Sequence, residues 1–137
     1  MKRIALSALG AFVAYFVVGT LTAAVPSLRS EFLRYPAIYR TPETMKAVMP
    51  LGVFAIFLSV LVLAVLYAML YKGRSGVLEG MRFGALIAVF AVTAFVVHNY
   101  VNLNIGLKLT VIQAAVYLVM WVVVGLTIGL IYRPKSI

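Results

Sequence analysis

Four long apolar runs constrain the fold of this chain more than any other feature of its sequence. They cover residues 4–25, 50–71, 83–103 and 109–132. Each run is about as long as the roughly 20 apolar residues that a helix needs to cross a bilayer. Within hydrocarbon, a helix satisfies all its backbone hydrogen bonds internally. The sequence therefore predicts an all-α, polytopic membrane protein, with four transmembrane helices bundled into a single domain over residues 1–137.

Composition agrees with this interpretation and narrows the function classes. The chain is 65% hydrophobic and 11% charged, whereas soluble domains are roughly 45–50% apolar and about 25% charged. Its net charge of +9 comes from short basic clusters between apolar runs, a pattern typical of membrane topology and not of nucleic-acid binding. The absence of cysteine excludes disulfides and thiol redox chemistry. The expected partner is the lipid bilayer, with no nucleic acid, metal or cofactor.

The distribution of lysine and arginine predicts the orientation. Seven basic residues would share one side of the membrane: Lys2, Arg3, Lys72, Arg74, Arg82, Arg133 and Lys135. Five would share the other side: Arg29, Arg34, Arg40, Lys46 and Lys108. Because cytoplasmic loops carry the excess of positive charge, both termini are expected in the cytoplasm. The expected location is the bacterial inner membrane, the plasma membrane of the cell.

The connection over residues 26–49 is predicted to be ordered. The stretch "VPSLRSEFLR" is typical of a short amphipathic helix lying in the interface, with Ser27 as its N-cap. Further along, Thr41, Pro42 and Glu43 form an N-cap, a first-position proline and an acidic first turn. They predict that the second long helix begins near Pro42, before its apolar run.

The two halves of the chain share short matching segments. Residues 10–16 ("GAFVAYF") match 84–90 ("GALIAVF"), and residues 70–75 ("LYKGRS") match 131–136 ("IYRPKS"). The matches occur in the same order, so they suggest one helical hairpin copied as a parallel repeat. Chance matching between alanine- and valine-rich helices is the alternative.

A polar cluster ends the third apolar run. His98 and Asn102 are four residues apart and so share a helix face, with Asn99 at its margin. Gln113 enters the fourth run at a comparable depth. Two interpretations stay open: these side chains hold the third and fourth helices together, with the His98 ring bonded to Asn102 or Gln113, or they form a ligand site.

Small residues at four-residue spacing predict close helix packing. Gly125 and Gly129 lie in the fourth run, and Gly80 and Gly84 lie at the start of the third if that helix begins early. Packing within one bundle and a homodimer seam are both consistent with these pairs. Five tyrosines near the predicted interfaces are typical of an aromatic belt: Tyr15, Tyr67, Tyr71, Tyr100 and Tyr132.

The stretch "HNYVNLNIGLKLTVIQAA" resembles a family of small four-helix bacterial inner-membrane proteins of unknown function. The residues that agree with the family pattern are Asn102, Leu103, Leu107, Leu109, Thr110 and Val111. Where the family has two aspartates this chain has Asn99 and Gln113, and where it has tyrosine this chain has His98. The resemblance implies the helix count and a helical hairpin, and it implies no reaction.

No catalytic arrangement is present in the sequence, so we expect no enzyme. The favoured function is that of a structural, accessory or oligomeric membrane subunit acting through helix–helix contacts, in a homo-oligomer or a larger membrane complex. The alternative is a transporter or channel for a small solute, with its polar site at the outer end of the third and fourth helices. The two alternatives differ in the interior that they require: a subunit is packed throughout, whereas a transporter contains a polar cavity.

Overall fold

The computed structural model describes residues 1–73 and 75–132. Arg74 and residues 133–137 lie outside this range. The charge assignments of Arg74, Arg133 and Lys135, together with most of the second repeat segment, therefore lie outside the described residues.

All regular secondary structure in the described residues is helical. Its five helices are α1 (Lys2–Ala23), α2 (Pro26–Phe32), α3 (Pro42–Leu70), α4 (Gly76–Asn102) and α5 (Leu107–Ile131). All but α2 are long and apolar enough to cross a membrane, with mean hydropathy of 2.0 to 2.8 over their best 18-residue windows. The predicted all-α membrane bundle is thus confirmed. We call the end that carries Met1 and Tyr132 the termini end, and the opposite end the loop end.

Local sequence explains where the helices at the loop end begin. α3 begins at Pro42, and the Thr41 hydroxyl accepts a hydrogen bond from the Thr44 amide at 3.4 Å, as the capping pattern predicted. At 29 residues, α3 is about 43 Å long, more than the roughly 30 Å hydrocarbon core. The predicted Ser27 cap of α2 is wrong, because Pro26 occupies the first turn and leaves Val25 as the N-cap.

The closest helix contact joins α4 to α5 through facing glycines. A Cβ added at Gly80 would lie 2.6 Å from the carbonyl oxygen of Gly125, and one added at Gly125 would lie 2.5 Å from the Cα of Gly84. At the termini end, Gly76 and Gly129 are in equally close contact. The backbones touch because no side chain separates them. These glycines therefore pack helices of the same chain against each other.

The long helices follow the spatial order α3, α1, α5, α4. α1 packs between α3 and α5, whereas α3 and α4 make little backbone contact with each other. A twofold repeat would match the α1–α5 contact with an equally extensive α3–α4 contact. The helix packing therefore departs from the symmetry that the repeated segments suggest. The reason is the glycine contact, which holds α4 against α5 and away from α3.

The apolar core lies toward the termini end. The buried residues of one cluster come from all four long helices: Ala8, Ala11, Val60, Ala64, Tyr67, Phe83, Val124 and Ile128. Tyr67 is 3% exposed, and its ring lies 5.4 Å from that of Phe83 and 5.9 Å from that of Tyr132. Tyr67 is thus a core residue and not part of an aromatic belt, because its ring is packed against those of Phe83 and Tyr132.

We predict that Gly80→Ala and Gly125→Ala each destabilise the bundle by about 1–3 kcal/mol, because the new methyl group collides with a facing backbone that cannot move alone. Gly52→Ala is the matched control, since nothing lies within 4 Å of a Cβ at that helical position. The control should be neutral or stabilising by up to about 1 kcal/mol. Melting temperatures in detergent measure the difference, and equal melting temperatures for all three variants would contradict the contact.

A candidate binding cavity at the loop end

The segment between α1 and α3 is fastened to the start of α5. The Glu31 carboxylate lies 2.8 Å from the Lys108 ammonium and 3.5 Å from the Arg34 guanidinium. The Tyr35 hydroxyl accepts a hydrogen bond from the Gly106 amide at 2.9 Å. These contacts make α2 and the turns after it a cap over the loop end of the bundle.

Glu31 is the charged centre of this cap. Its side chain is 3% exposed, whereas those of Lys108 and Arg34 are 68% and 67% exposed. The hydrogen bond from Lys108, together with the charges of Arg34 and Lys108, holds the pKa of the Glu31 carboxyl below its ordinary value despite burial. The carboxylate is therefore ionised at neutral pH and can hold the two cations that it contacts.

A second contact holds the cap to α5 about two turns beyond Gly106. The Gln113 side-chain amide donates a hydrogen bond to the Tyr39 hydroxyl at 2.7 Å. The Tyr39 ring also packs edge-on against Phe32 of α2, with ring centroids 5.3 Å apart. Burial raises the pKa of the Tyr39 phenol, so the hydroxyl stays protonated at neutral pH. Tyr39 thus links the cap, α2 and α5 through one neutral side chain.

A π-helical segment in α4 changes which face of the helix is buried beyond it. It covers Val92–Val97. The buried positions on the face toward α5 are Gly80, Gly84, Ala88, Ala91 and Val96. The last interval is five residues, where regular α-helix would give three or four. One extra residue per turn rotates the following face by about 100°, and π segments of this kind frequently lie at functional sites.

The rotation separates the polar cluster that the sequence predicted. Asn99, three residues after Val96, lines a cavity at the loop end, whereas His98 and Asn102 are not among its lining residues; all three residues are exposed. The Asn102 amide donates to the backbone carbonyl of His98 at 2.8 Å. The His98 ring has no hydrogen bond to any described residue. The expected bond from that ring to Asn102 or Gln113 is therefore wrong, since the amide of Asn102 donates to a backbone carbonyl and that of Gln113 donates to the Tyr39 hydroxyl.

Beneath the cap lies a cavity of about 780 Å³. Its polar lining comes from the cap, α4 and the ends of α1 and α5: Thr22, Arg29, Tyr39, Arg40, Asn99, Gln113 and Tyr117. Its apolar lining includes Leu28, Phe32, Leu33, Met45, Leu103 and Val116. Most walls are apolar and a few polar groups converge, as is typical of sites for small organic ligands.

The cavity carries positive charge and one unsatisfied acceptor. The ion pairs in the described part of the chain join Glu31 to its two cations, and neither Arg29 nor Arg40 takes part. The Oε1 atom of Gln113 is buried without a hydrogen-bond partner, a costly state that a bound donor would relieve. Toward the termini end, the rings of Tyr15 and Trp121 lie 5.8 Å apart. Trp121 is one turn of α5 beyond Tyr117, so its ring and that of Tyr15 lie between the cavity and the core at the termini end.

Sequence reasoning found two of the cavity residues and missed most of the others. Asn99 and Gln113 belonged to the predicted cluster, whereas Arg29 and Arg40 were counted only as topology charges. The cap residues Glu31, Tyr35 and Tyr39 are spaced by four, but α2 ends at Phe32, so helical spacing does not place the two tyrosines on one face with Glu31. That spacing does not show which helix they contact, since their partners lie far along the chain.

In comparisons with protein-family models, curated proteins and solved structures, nothing matches this chain. The resemblance of the helical hairpin to a bacterial inner-membrane family therefore stays a prediction. The cavity and its cap are interpreted below from their own chemistry.

We predict that the contribution of Glu31 to stability depends on pH. Its native pKa is lowered from the ordinary value of 4.5, so the unfolded chain binds this proton more readily than the folded protein. The stabilisation is therefore complete above about pH 4.5 and is lost as the pH falls through the native pKa. Glu31→Gln should melt below the wild type at pH 7, and the gap should close in acid.

Glu43→Gln is the control, because Glu43 is exposed in the first turn of α3 and has no ion pair with a described residue. Its melting curve should follow the wild type across the same pH range. A Glu31→Gln gap that stays constant from pH 7 to below pH 4 would show that the carboxylate charge does not hold the cap.

Proposed function

We propose that this protein is a small, non-enzymatic membrane protein that binds a small amphipathic solute in the cavity beneath its cap. The observation that carries the proposal is the cavity itself, which has apolar walls, two arginines without ion-pair partners and a buried amide oxygen without a donor. A subunit acting only through helix contacts has no need of such an interior. A solute with one polar end and one apolar end matches both parts of the lining.

The depth of the cavity supports binding from within or beside the bilayer. Tyr117 is ten residues beyond Leu107, the first residue of α5, or about 15 Å along the helix axis. That is roughly half of the 30 Å hydrocarbon core. Transport of the solute to the other side would require Tyr15, Trp121 and the aromatic cluster around Tyr67 to separate, so binding is the simpler function.

The orientation that we propose places the loop end outside the cytoplasm. An even number of spanning helices puts both termini at one end, where Gly10 of α1 contacts Ile131 of α5. The seven-to-five distribution of basic residues favours that end as the cytoplasmic one. In a bacterial inner membrane, the cavity would then face the periplasmic side.

An accessory-subunit function remains the second proposal. The surface that such a partner would use is the loop-end half of α3, where Leu51 is 71% exposed and Phe54 is 58% exposed. α1 is the main neighbour of this helix within the chain. A partner helix from another copy or another protein would pack there, whereas the cavity would remain on the other side of α3.

The proposed function is tested by a substitution that fills the cavity with a larger side chain. Val116→Trp places a large ring in the cavity, and Val119→Trp makes the same change on a part of α5 that is 54% exposed. Both variants are purified from native membranes, and bound small molecules are identified by mass spectrometry. We expect a molecule that co-purifies with the wild type and Val119→Trp and is lost from Val116→Trp. Identical small-molecule content in all three proteins would reject binding in the cavity.

A further inference from the structure

We infer that the cavity binds the headgroup of an anionic phospholipid that carries a hydroxyl group. The inference rests on the proposed function and names the class of solute. It combines three features of the site: the unpaired cations at its rim, the unsatisfied acceptor in its wall, and the separation of α3 from α4 beside it.

The cations select for an anion. Arg29 and Arg40 line the cavity, and the carboxylate nearest in sequence to Arg29, that of Glu31, is already held by Lys108 and Arg34. Arginine binds phosphate oxygens through paired, charge-assisted hydrogen bonds. A phosphodiester at the rim would thus supply the counter-charge that the described protein residues do not.

The acceptor selects for a hydrogen-bond donor on the same headgroup. One polar atom of the Gln113 amide is bonded to Tyr39, and the other, Oε1, is buried without a partner. A hydroxyl group can donate to this oxygen once the amide rotates to expose it to the cavity, whereas a phosphate ester without hydroxyls offers no donor. The amide therefore distinguishes between anionic lipids of equal charge.

The helix arrangement leaves room for acyl chains. Met45 of α3 and Leu103 of α4 both line the cavity, and these two helices make little backbone contact with each other. The predicted interface places α2 at headgroup level, because short amphipathic helices lie at that boundary. Chains descending from a bound headgroup would lie against the apolar walls and leave the bundle between α3 and α4.

The experiment titrates lipids into the detergent-solubilised full chain and measures binding by native mass spectrometry. The probes are dioleoylphosphatidylglycerol, dioleoylphosphatidylmethanol, which has the same charge without a headgroup hydroxyl, and zwitterionic dioleoylphosphatidylcholine. The proteins are the wild type, Arg29→Gln/Arg40→Gln, Gln113→Leu, and the control Lys46→Gln, which removes a cation outside the cavity at the same end.

We expect phosphatidylglycerol to bind most tightly, and the double arginine variant to bind it roughly tenfold or more weakly, since charge-assisted contacts are lost. Lys46→Gln should bind like the wild type. Gln113→Leu should remove the preference for phosphatidylglycerol over phosphatidylmethanol while still favouring both over phosphatidylcholine. Melting temperatures without lipid identify any variant that fails to fold, and Val116→Trp then serves as the second cavity variant.

Four outcomes would overturn the inference. Equal loss of binding in Lys46→Gln and in the arginine variant would indicate general surface attraction. Equal binding of phosphatidylcholine would remove the role of the charge. Competition by inorganic phosphate or oleate as effective as that by phosphatidylglycerol would show that the ligand is a free anion. Co-purification of a different molecule that is lost in Val116→Trp would retain the proposed function while rejecting this lipid.

Discussion

The close contact between α4 and α5 determines the arrangement of the other helices. In a bilayer, lipid tails are as apolar as leucine, so helices associate through close packing and hydrogen bonds and not through hydrophobic burial. Facing glycines let the two backbones touch over several turns. This pair forms one wall, α1 packs against it, and α3 packs on the far side of α1. The separation of α3 from α4 is therefore a consequence of the glycine contact.

The space between α3 and α4 is closed differently at the two ends of the bundle. At the termini end, the rings of Tyr67, Phe83 and Tyr132 fill the space between the helices and close the core. At the loop end, no cluster of equal size fills it among the described residues, and the segment from α2 to α3 covers it instead. The cover is held by Glu31 and the two tyrosines after it, which bond to the start of α5. A packed end and a capped cavity thus follow from one helix arrangement.

Much of the fold follows from local sequence. The apolar runs predict the four long helices, Thr41 and Pro42 predict where α3 begins, and the glycine spacing marks the surface through which α4 and α5 touch. The site is harder to predict from the sequence, because it depends on long-range contacts and on one irregularity in a helix. The π segment at Val92–Val97 shifts the buried face of α4 and places Asn99, but not His98, in the lining of the cavity. Nothing in its apolar composition distinguishes it from regular helix. The bond from Gln113 to Tyr39 joins residues that no local pattern connects.

The interior of the bundle contains an accessible cavity at the loop end and is packed at the termini end. The chain has no cysteine, so a single introduced thiol reports only on its own position. Val116→Cys lies in the cavity wall, and Val124→Cys lies in the core, where Val124 is 1% exposed. We expect a membrane-impermeant maleimide added to reconstituted vesicles to label Val116→Cys readily and Val124→Cys only after denaturation. Equal protection of the two thiols in the folded protein would contradict an accessible cavity at the loop end.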